Sequence, residues 1–175
     1  MKKVLIVVDV QKDFVDGALG TPEALAIIPR VKEKITECRA NGGTVIFTRD
    51  THHADYLETN EGKHLPVKHC IENTDGWNIY DGLTDDESVI LNKPTFGYLN
   101  WNKYIGNTDT TAFADLEIEL IGLCTDICVV SNALILKAMF PEAVVSVDST
   151  ACAGVTPASH EAALNTMKMC QVEVK

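Results

Sequence analysis

The chain has 175 residues, 46% of them hydrophobic, which suits one domain (residues 1–175) with a sizeable core. Its formal net charge of -10 argues against nucleic acid or an anionic membrane surface as partner. The apolar stretches are broken by Asp, Lys or Pro before they reach membrane-spanning length, so no membrane is expected.

The first element is the aliphatic run Val4–Val8, which reads as a strand covered on both faces. The opening M-K-K-V-L-I-V-V-D-V superficially resembles a signal peptide. It is too short, and Asp9 interrupts it, so it is read as the first strand of a cytoplasmic protein. Asp9 falls where that strand leaves the sheet, with Asp13 and Phe14 just beyond; either aspartate also suits a turn. Residues 16–20 read as a loop. A helix starts at Pro29, with Val31, Ile35 and Cys38 on one face, and stops at Asn41-Gly42-Gly43. Thr44–Thr48 is the second strand, with Arg49 and Asp50 at its carboxyl end.

Residues 50–80 form a long irregular part that holds four of the five histidines: 52, 53, 64 and 69. In an extended D-x-H, Asp50 and His52 point to the same side. One more acid and one distant histidine complete a small nitrogen–oxygen site, suited to zinc, iron or manganese more than calcium. The bland alternative is a polar loop with locally hydrogen-bonded histidines. Ser88–Leu91 is the third strand; Lys93 follows and is held extended by Pro94. Phe96, Tyr98 and Trp101 come next, either to wall a flat substrate or to cover the core edge.

Leu116–Ile121 is the fourth strand, and it runs into G-L-C-T-D-I-C-V-V-S at 122–131. A helix is expected from Ile127 to Phe140, with Thr125 and Asp126 as caps and Cys128 in the first turn. A cysteine at a strand's carboxyl end and a helix start is where an α/β protein keeps a nucleophile, although cysteines are often merely buried. Ala143–Val147 is the fifth strand, Ser159 to about Met169 the last helix, and Gln171–Val174 a short final strand. The predicted architecture is a three-layer α/β/α domain on a mostly parallel, six-stranded, Rossmann-like sheet. The six cysteines contain no C-x-x-C and no zinc-finger pair, and a core this apolar needs no disulfides, so free thiols are expected.

Asp9, Lys93 and Cys128 thus converge on one sheet edge. A thiolate attacks a carbonyl carbon, the carboxylate carries its proton, and the ammonium tunes the carboxylate.

With D-V-Q-K-D-F at 9–14, Lys93 and G-L-C-T-D-I-C-V at 122–129 in view, the chain resembles the isochorismatase-like cysteine hydrolases, and within them the nicotinamidases. The resemblance covers essentially the whole chain. It implies Asp9 as base, Lys93 as its partner and Cys128 as nucleophile. It further implies a cis peptide at Leu123–Cys124, with the amides of Cys124 and Cys128 as the oxyanion hole. Phe14 is implied as a wall of the substrate pocket; from their place after Lys93, Phe96, Tyr98 or Trp101 are expected to close the opposite side, Phe96 and Tyr98 first. One divalent metal ion is implied, zinc first and iron or manganese next. Asp50, His52 and His69 are its implied ligands, with Glu61 favoured for the last position over Glu58, His53 and His64. The expected substrate is a small flat primary amide, nicotinamide first, and a homo-oligomer fits the family. The alternatives are another small-amide or ureido hydrolase of the superfamily, an isochorismatase-type enzyme, or a non-enzymatic binding member.

Overall fold

The computed structural model describes residues 2–106 and 115–175. Six parallel strands form one sheet: β1 (Lys2–Val8), β2 (Thr44–Asp50), β3 (Val89–Lys93), β4 (Leu116–Leu123), β5 (Val144–Ala153) and β6 (Glu173–Val174). Their order is β3-β2-β1-β4-β5-β6. The strand order therefore reverses between β1 and β4, and the crevice outside the carboxyl ends there is where open α/β sheets bind ligands. Register places Val8 opposite Gly122, and Asp50 opposite Lys93. Side chains just past these pairs share one edge of the sheet.

Parallel strands covered on both faces must be apolar throughout, and β1 meets this demand: Val4, Leu5, Ile6, Val7 and Val8 are all buried. The helices supply the cover. The α-helices in chain order are α1 (Lys12–Val15), α2 (Pro22–Ala26), α3 (Ile28–Ala40), α4 (Asn60–His64), α5 (Asn102–Ile105), α6 (Val130–Met139) and α7 (Pro157–Met169). Helix α3 buries Val31 and Ile35, as the spacing predicts. Helix α7 buries Ala163, Leu164 and Met167 and leaves Ala162 outside. Among the described residues no helix is long and apolar enough to cross a membrane. All six cysteines are free.

Several boundaries differ from the sequence reading. Strand β5 runs on through Ala153 rather than ending at Val147. A register shift in the β4–β5 pairing lets Cys152 and Ala153 face Gly122 and Leu123. Helix α2 was not anticipated, although Thr21 caps it by accepting from Ala24 N–H and Pro22 starts it. The irregular part contains α4, where Thr59 accepts from Gly62 N–H and Glu61 sits in the first turn. The segment 107–114, part of the stretch before the fourth strand, lies outside the described residues.

Gly122 has a φ of +118, and a Cβ there would collide with the Val8 carbonyl. Only glycine lets β4 approach β1 this closely while turning the chain toward Cys124. The Leu123–Cys124 peptide is cis.

Candidate active site

Cys128 lies in a π-type turn, Thr125–Val129, that leads into α6. The expected caps are corrected here: neither Thr125 nor Asp126 caps this turn with its side chain. Thr125 Oγ1 pairs instead with His160 Nδ1 at 2.8 Å, and Asp126 Oδ1 accepts from Val155 N–H at 3.0 Å. Both side chains tie the turn to α7 and its preceding loop. A tighter turn would serve a cap better, but tertiary partners hold these two groups.

Lys93 is fully buried at the end of β3. Its Nζ stands 2.6 Å from Asp9 Oδ2, 3.4 Å from Asp50 Oδ1 and 3.4 Å from Cys128 Sγ, and it donates to the Thr95 carbonyl at 3.1 Å. Asp9, also fully buried, adopts a positive φ of 48, a strained conformation for a residue other than glycine. Its Oδ1 accepts from Thr48 Oγ1 at 2.7 Å. Oδ2 is therefore the oxygen left for a transferred proton.

Burial pushes the Asp9 carboxyl above its ordinary value, and Lys93 pulls it part of the way back. Burial also drives the Cys128 thiol well above its usual value; Asp9 pushes it further and Lys93 opposes. The Lys93 ammonium is raised in spite of burial, because Asp9, Cys128 and Asp50 surround it. Cys128 thus rests as a thiol beside a carboxylate made a stronger base by its surroundings. Cys124 is held neutral as well, with burial lifting its thiol to about 12.

A cavity of about 330 Å³ opens over this cluster. Phe14, Leu65, Phe96, Leu123 and Ile127 give it apolar walls, and Asp50, Glu61, His69, Cys124 and Cys128 supply its polar groups. The Phe14 ring is nearly buried and lies 5.4 Å from the His69 ring. Phe96 is half exposed. Tyr98 does not line this cavity. Its ring packs on Trp101 at 5.0 Å, and its N–H donates to Asn132 Oδ1 at 2.8 Å, which turns it toward the core edge. Trp101 is fully buried and likewise away from the cavity. Lining residues that sequence reasoning missed include Leu19, Thr21, Ala24 and Val155. The T-P start of α2 was a legible signal for two of them; nothing in the sequence pointed to the others.

Beside Lys93, Asp50, His52, Glu61 and His69 each offer one ligand atom, all within 4.8 Å of one another. His52 Nε2 stands 3.0 Å from Asp50 Oδ2 and 3.6 Å from Glu61 Oε1. His69 Nε2 stands 3.7 Å and 3.9 Å from the same two atoms. Four ligands about 2.1 Å from one ion in a tetrahedron lie roughly 3.4 Å apart, so the spacing fits a single divalent ion. Two further observations agree. The buried His52 Nε2 has Asp50 Oδ2 as its near neighbour at 3.0 Å, but no well-aligned hydrogen bond satisfies it. His69 Nδ1 donates to the Val67 carbonyl at 2.8 Å, which leaves its Nε2 free as a lone-pair donor. Burial presses the Asp50 carboxyl upward, but His52 and Lys93 outweigh it and hold the group below its ordinary value. The other candidate ligands stand apart. His53 is exposed and 3.4 Å from Glu72; Glu58 is exposed and outside the group; His64 lines the cavity with its Nδ1 on the Asn60 carbonyl.

Fold and site together define a parallel α/β protein that carries the groups of a cysteine-dependent hydrolase at its topological switch point. The chain belongs to the isochorismatase family: the model described as Isochorismatase domain matches residues 3–174. It is 33% identical over 147 residues to the "Uncharacterized isochorismatase family protein PncA" of Bacillus subtilis, covering 77% of this chain and 78% of that one. It is 28% identical to the nicotinamidase of Schizosaccharomyces pombe, over 97% of this chain and 91% of that one. The crystal structure of the pyrazinamidase of Pyrococcus horikoshii in complex with zinc superposes with a TM-score of 0.80 at 28% identity, over 100% of this chain and 99% of that one.

Proposed function

We propose that this protein is a cysteine-dependent amidohydrolase of nicotinamidase type, which converts nicotinamide to nicotinate and ammonia through a thioester. The observation that carries the reading is the position of Lys93 Nζ, in contact with Asp9, Cys128 and Asp50 at once beneath an apolar cavity. That one ammonium joins a nucleophile and its base to a potential metal group. The nicotinamidase and pyrazinamidase relatives support the choice of a small aromatic amide.

In this reading Cys128 Sγ attacks the amide carbon while its proton passes to Asp9 Oδ2. The amides of Cys124 and Cys128 stabilise the oxyanion that forms. Asp9 then gives the proton to the amine nitrogen as the carbon–nitrogen bond breaks, and ammonia leaves. Water attacks the thioester; Asp9 takes its proton and returns it to the sulfur as the acid departs. Lys93 keeps a positive charge beside Asp9 and Cys128 throughout, which favours the charge-separated stages. Phe14 and Phe96 bracket the ring, and Tyr98 has no substrate role.

Asp50, His52, Glu61 and His69 would hold one divalent ion, zinc in preference to iron or manganese. Bound there, the ion supplies a coordination position for a ring nitrogen. A ureido hydrolase or an isochorismatase-type member has no evident need of such a group.

The test is ammonia release from nicotinamide, pyrazinamide and benzamide by the zinc-loaded protein. Nicotinamide and pyrazinamide should both turn over. Benzamide, which lacks the ring nitrogen, should lose at least about 100-fold in kcat/KM. Equal rates for nicotinamide and benzamide refute a role of the ion in recognition. No ammonia from any of the three refutes the substrate assignment.

A further inference from the structure

The segment D-V-Q-K-D-F at 9–14 carries three polar side chains that the chemistry above does not use: Lys12, which pairs with Asp75 and Asp81 away from the site, and Gln11 and Asp13, which turn toward it. Gln11 is fully buried. Its Nε2 donates to the Asp50 carbonyl at 2.9 Å and to the Trp77 carbonyl at 2.8 Å, and its Oε1 accepts from Asp50 N–H at 2.7 Å. Both backbone groups of Asp50 are thus bracketed by one amide, which supplies a donor and an acceptor as an adjacent strand would. Asp13 reaches in the other direction. Its Oδ2 accepts from Cys70 N–H at 2.7 Å.

Cys70 directly follows His69 and has a positive φ of 47, so its peptide needs an outside anchor to stay aimed as it is. The Cys70 carbonyl in turn accepts from His52 N–H at 3.0 Å. The polypeptide is packed tightly around this anchor. A Cβ on Gly76 would run into the Asp13 carboxylate. Asp50 and His52 come from the end of β2, whereas His69 comes from a loop seventeen positions further on. A single parallel β-bridge joins that loop to the strand end: besides the bond from His52 N–H, Glu72 N–H donates to the His52 carbonyl at 2.8 Å, and no longer ladder continues it among the described residues.

We infer that Gln11 and Asp13 are positioning residues that preorganise the metal-binding group from its two sides. Gln11 sets the backbone of Asp50, and Asp13 sets the peptide that follows His69. This inference rests on the proposal that Asp50, His52, Glu61 and His69 hold a divalent ion. Neither residue touches the ion or the substrate. Partners that orient ligands in this way commonly govern affinity by 10–100-fold when removed.

The test measures zinc affinity by competition with a colorimetric chelator, for the wild type, Asp13→Ala, Asp13→Asn and Gln11→Glu. Far-UV circular dichroism and the metal-free Tm are followed in parallel. D13A should bind zinc about 10–100-fold more weakly. D13N keeps an acceptor oxygen for Cys70 N–H and should restore most of the affinity. Q11E keeps one acceptor but loses both donors, and should weaken zinc by a similar factor to D13A. A merely structural role would lower the metal-free Tm and leave zinc affinity in the folded variants unchanged, which overturns the inference. If D13A does not fold, Q11E decides. Zinc bound equally by wild type and variants overturns this inference alone. A wild type that binds no zinc overturns the metal assignment and this inference with it.

Discussion

Asp9→Asn is the most informative single change, because it keeps the shape of the side chain and removes one function. Asparagine retains an oxygen for Thr48 Oγ1, which now bonds Asp9 Oδ1 at 2.7 Å. It presents an amide where Oδ2 faces Lys93 at 2.6 Å. The amide accepts no proton from Cys128, so the loss in kcat/KM should reach roughly 100- to 10,000-fold, the usual contribution of a positioned base. Stability falls as well. Removing one partner of a buried ion pair costs about 3–5 kcal/mol. Lys93 keeps Asp50 Oδ1 at 3.4 Å and the Thr95 carbonyl at 3.1 Å, so the lower end, about 3 kcal/mol, applies here. For a chain of this length that is a fall in Tm of roughly 6–12 °C. The assays are ammonia release under saturating and limiting amide, and differential scanning calorimetry. Thiol titration under native conditions checks that Cys128 is still present and reduced. D9N with kcat/KM close to wild type refutes Asp9 as the base, whatever happens to Tm.

Two further outcomes are expected. Cys128→Ala should abolish turnover with the fold intact by circular dichroism, whereas Cys124→Ala should keep most of the activity because its assigned role is its backbone N–H; an active C128A would remove the nucleophile. Burial presses Asp148 upward, but Thr150, Lys34 and Arg30 hold its carboxyl below the ordinary value, so its contribution to stability is full above about pH 5 and fades as pH falls below about 4. Denaturant unfolding of wild type and D148N should therefore show a gap that is constant near neutrality and closes in acid; a gap that widens in acid contradicts this sign.

Much of the architecture was legible in the sequence because it follows from local pattern. The unbroken aliphatic run of β1 can only be a strand covered on both faces, and the N-G-G after α3 marks its end by backbone preference; the last helix, expected from Ser159, starts two residues earlier at Pro157, where Thr156 caps it. Asp9, Asp50 and Lys93 were placed because each stands at a strand's carboxyl end, and parallel strands bring such ends to one edge. Sequence resemblance named Glu61 among four candidate residues. What it did not supply was the reason, which is that α4 turns Glu61 to within 4 Å of both histidine Nε2 atoms while His53 faces solvent beside Glu72.

The tertiary structure decided the matters that depend on contacts far apart in the chain. Tyr98 shares its loop with Phe96, and nothing local separates them; Asn132 on α6 and Trp101 turn Tyr98 inward. Thr125 and Asp126 have the side chains of helix caps, yet His160 and the Val155 amide claim them. The length of β5 was set by its pairing with β4 rather than by its own pattern. The sequence by itself determined which residues are able to do the chemistry, since that depends on residue type and strand ends. Only the packed chain decided which of them face the cavity, because orientation there is fixed by hydrogen bonds between segments that sequence order keeps apart.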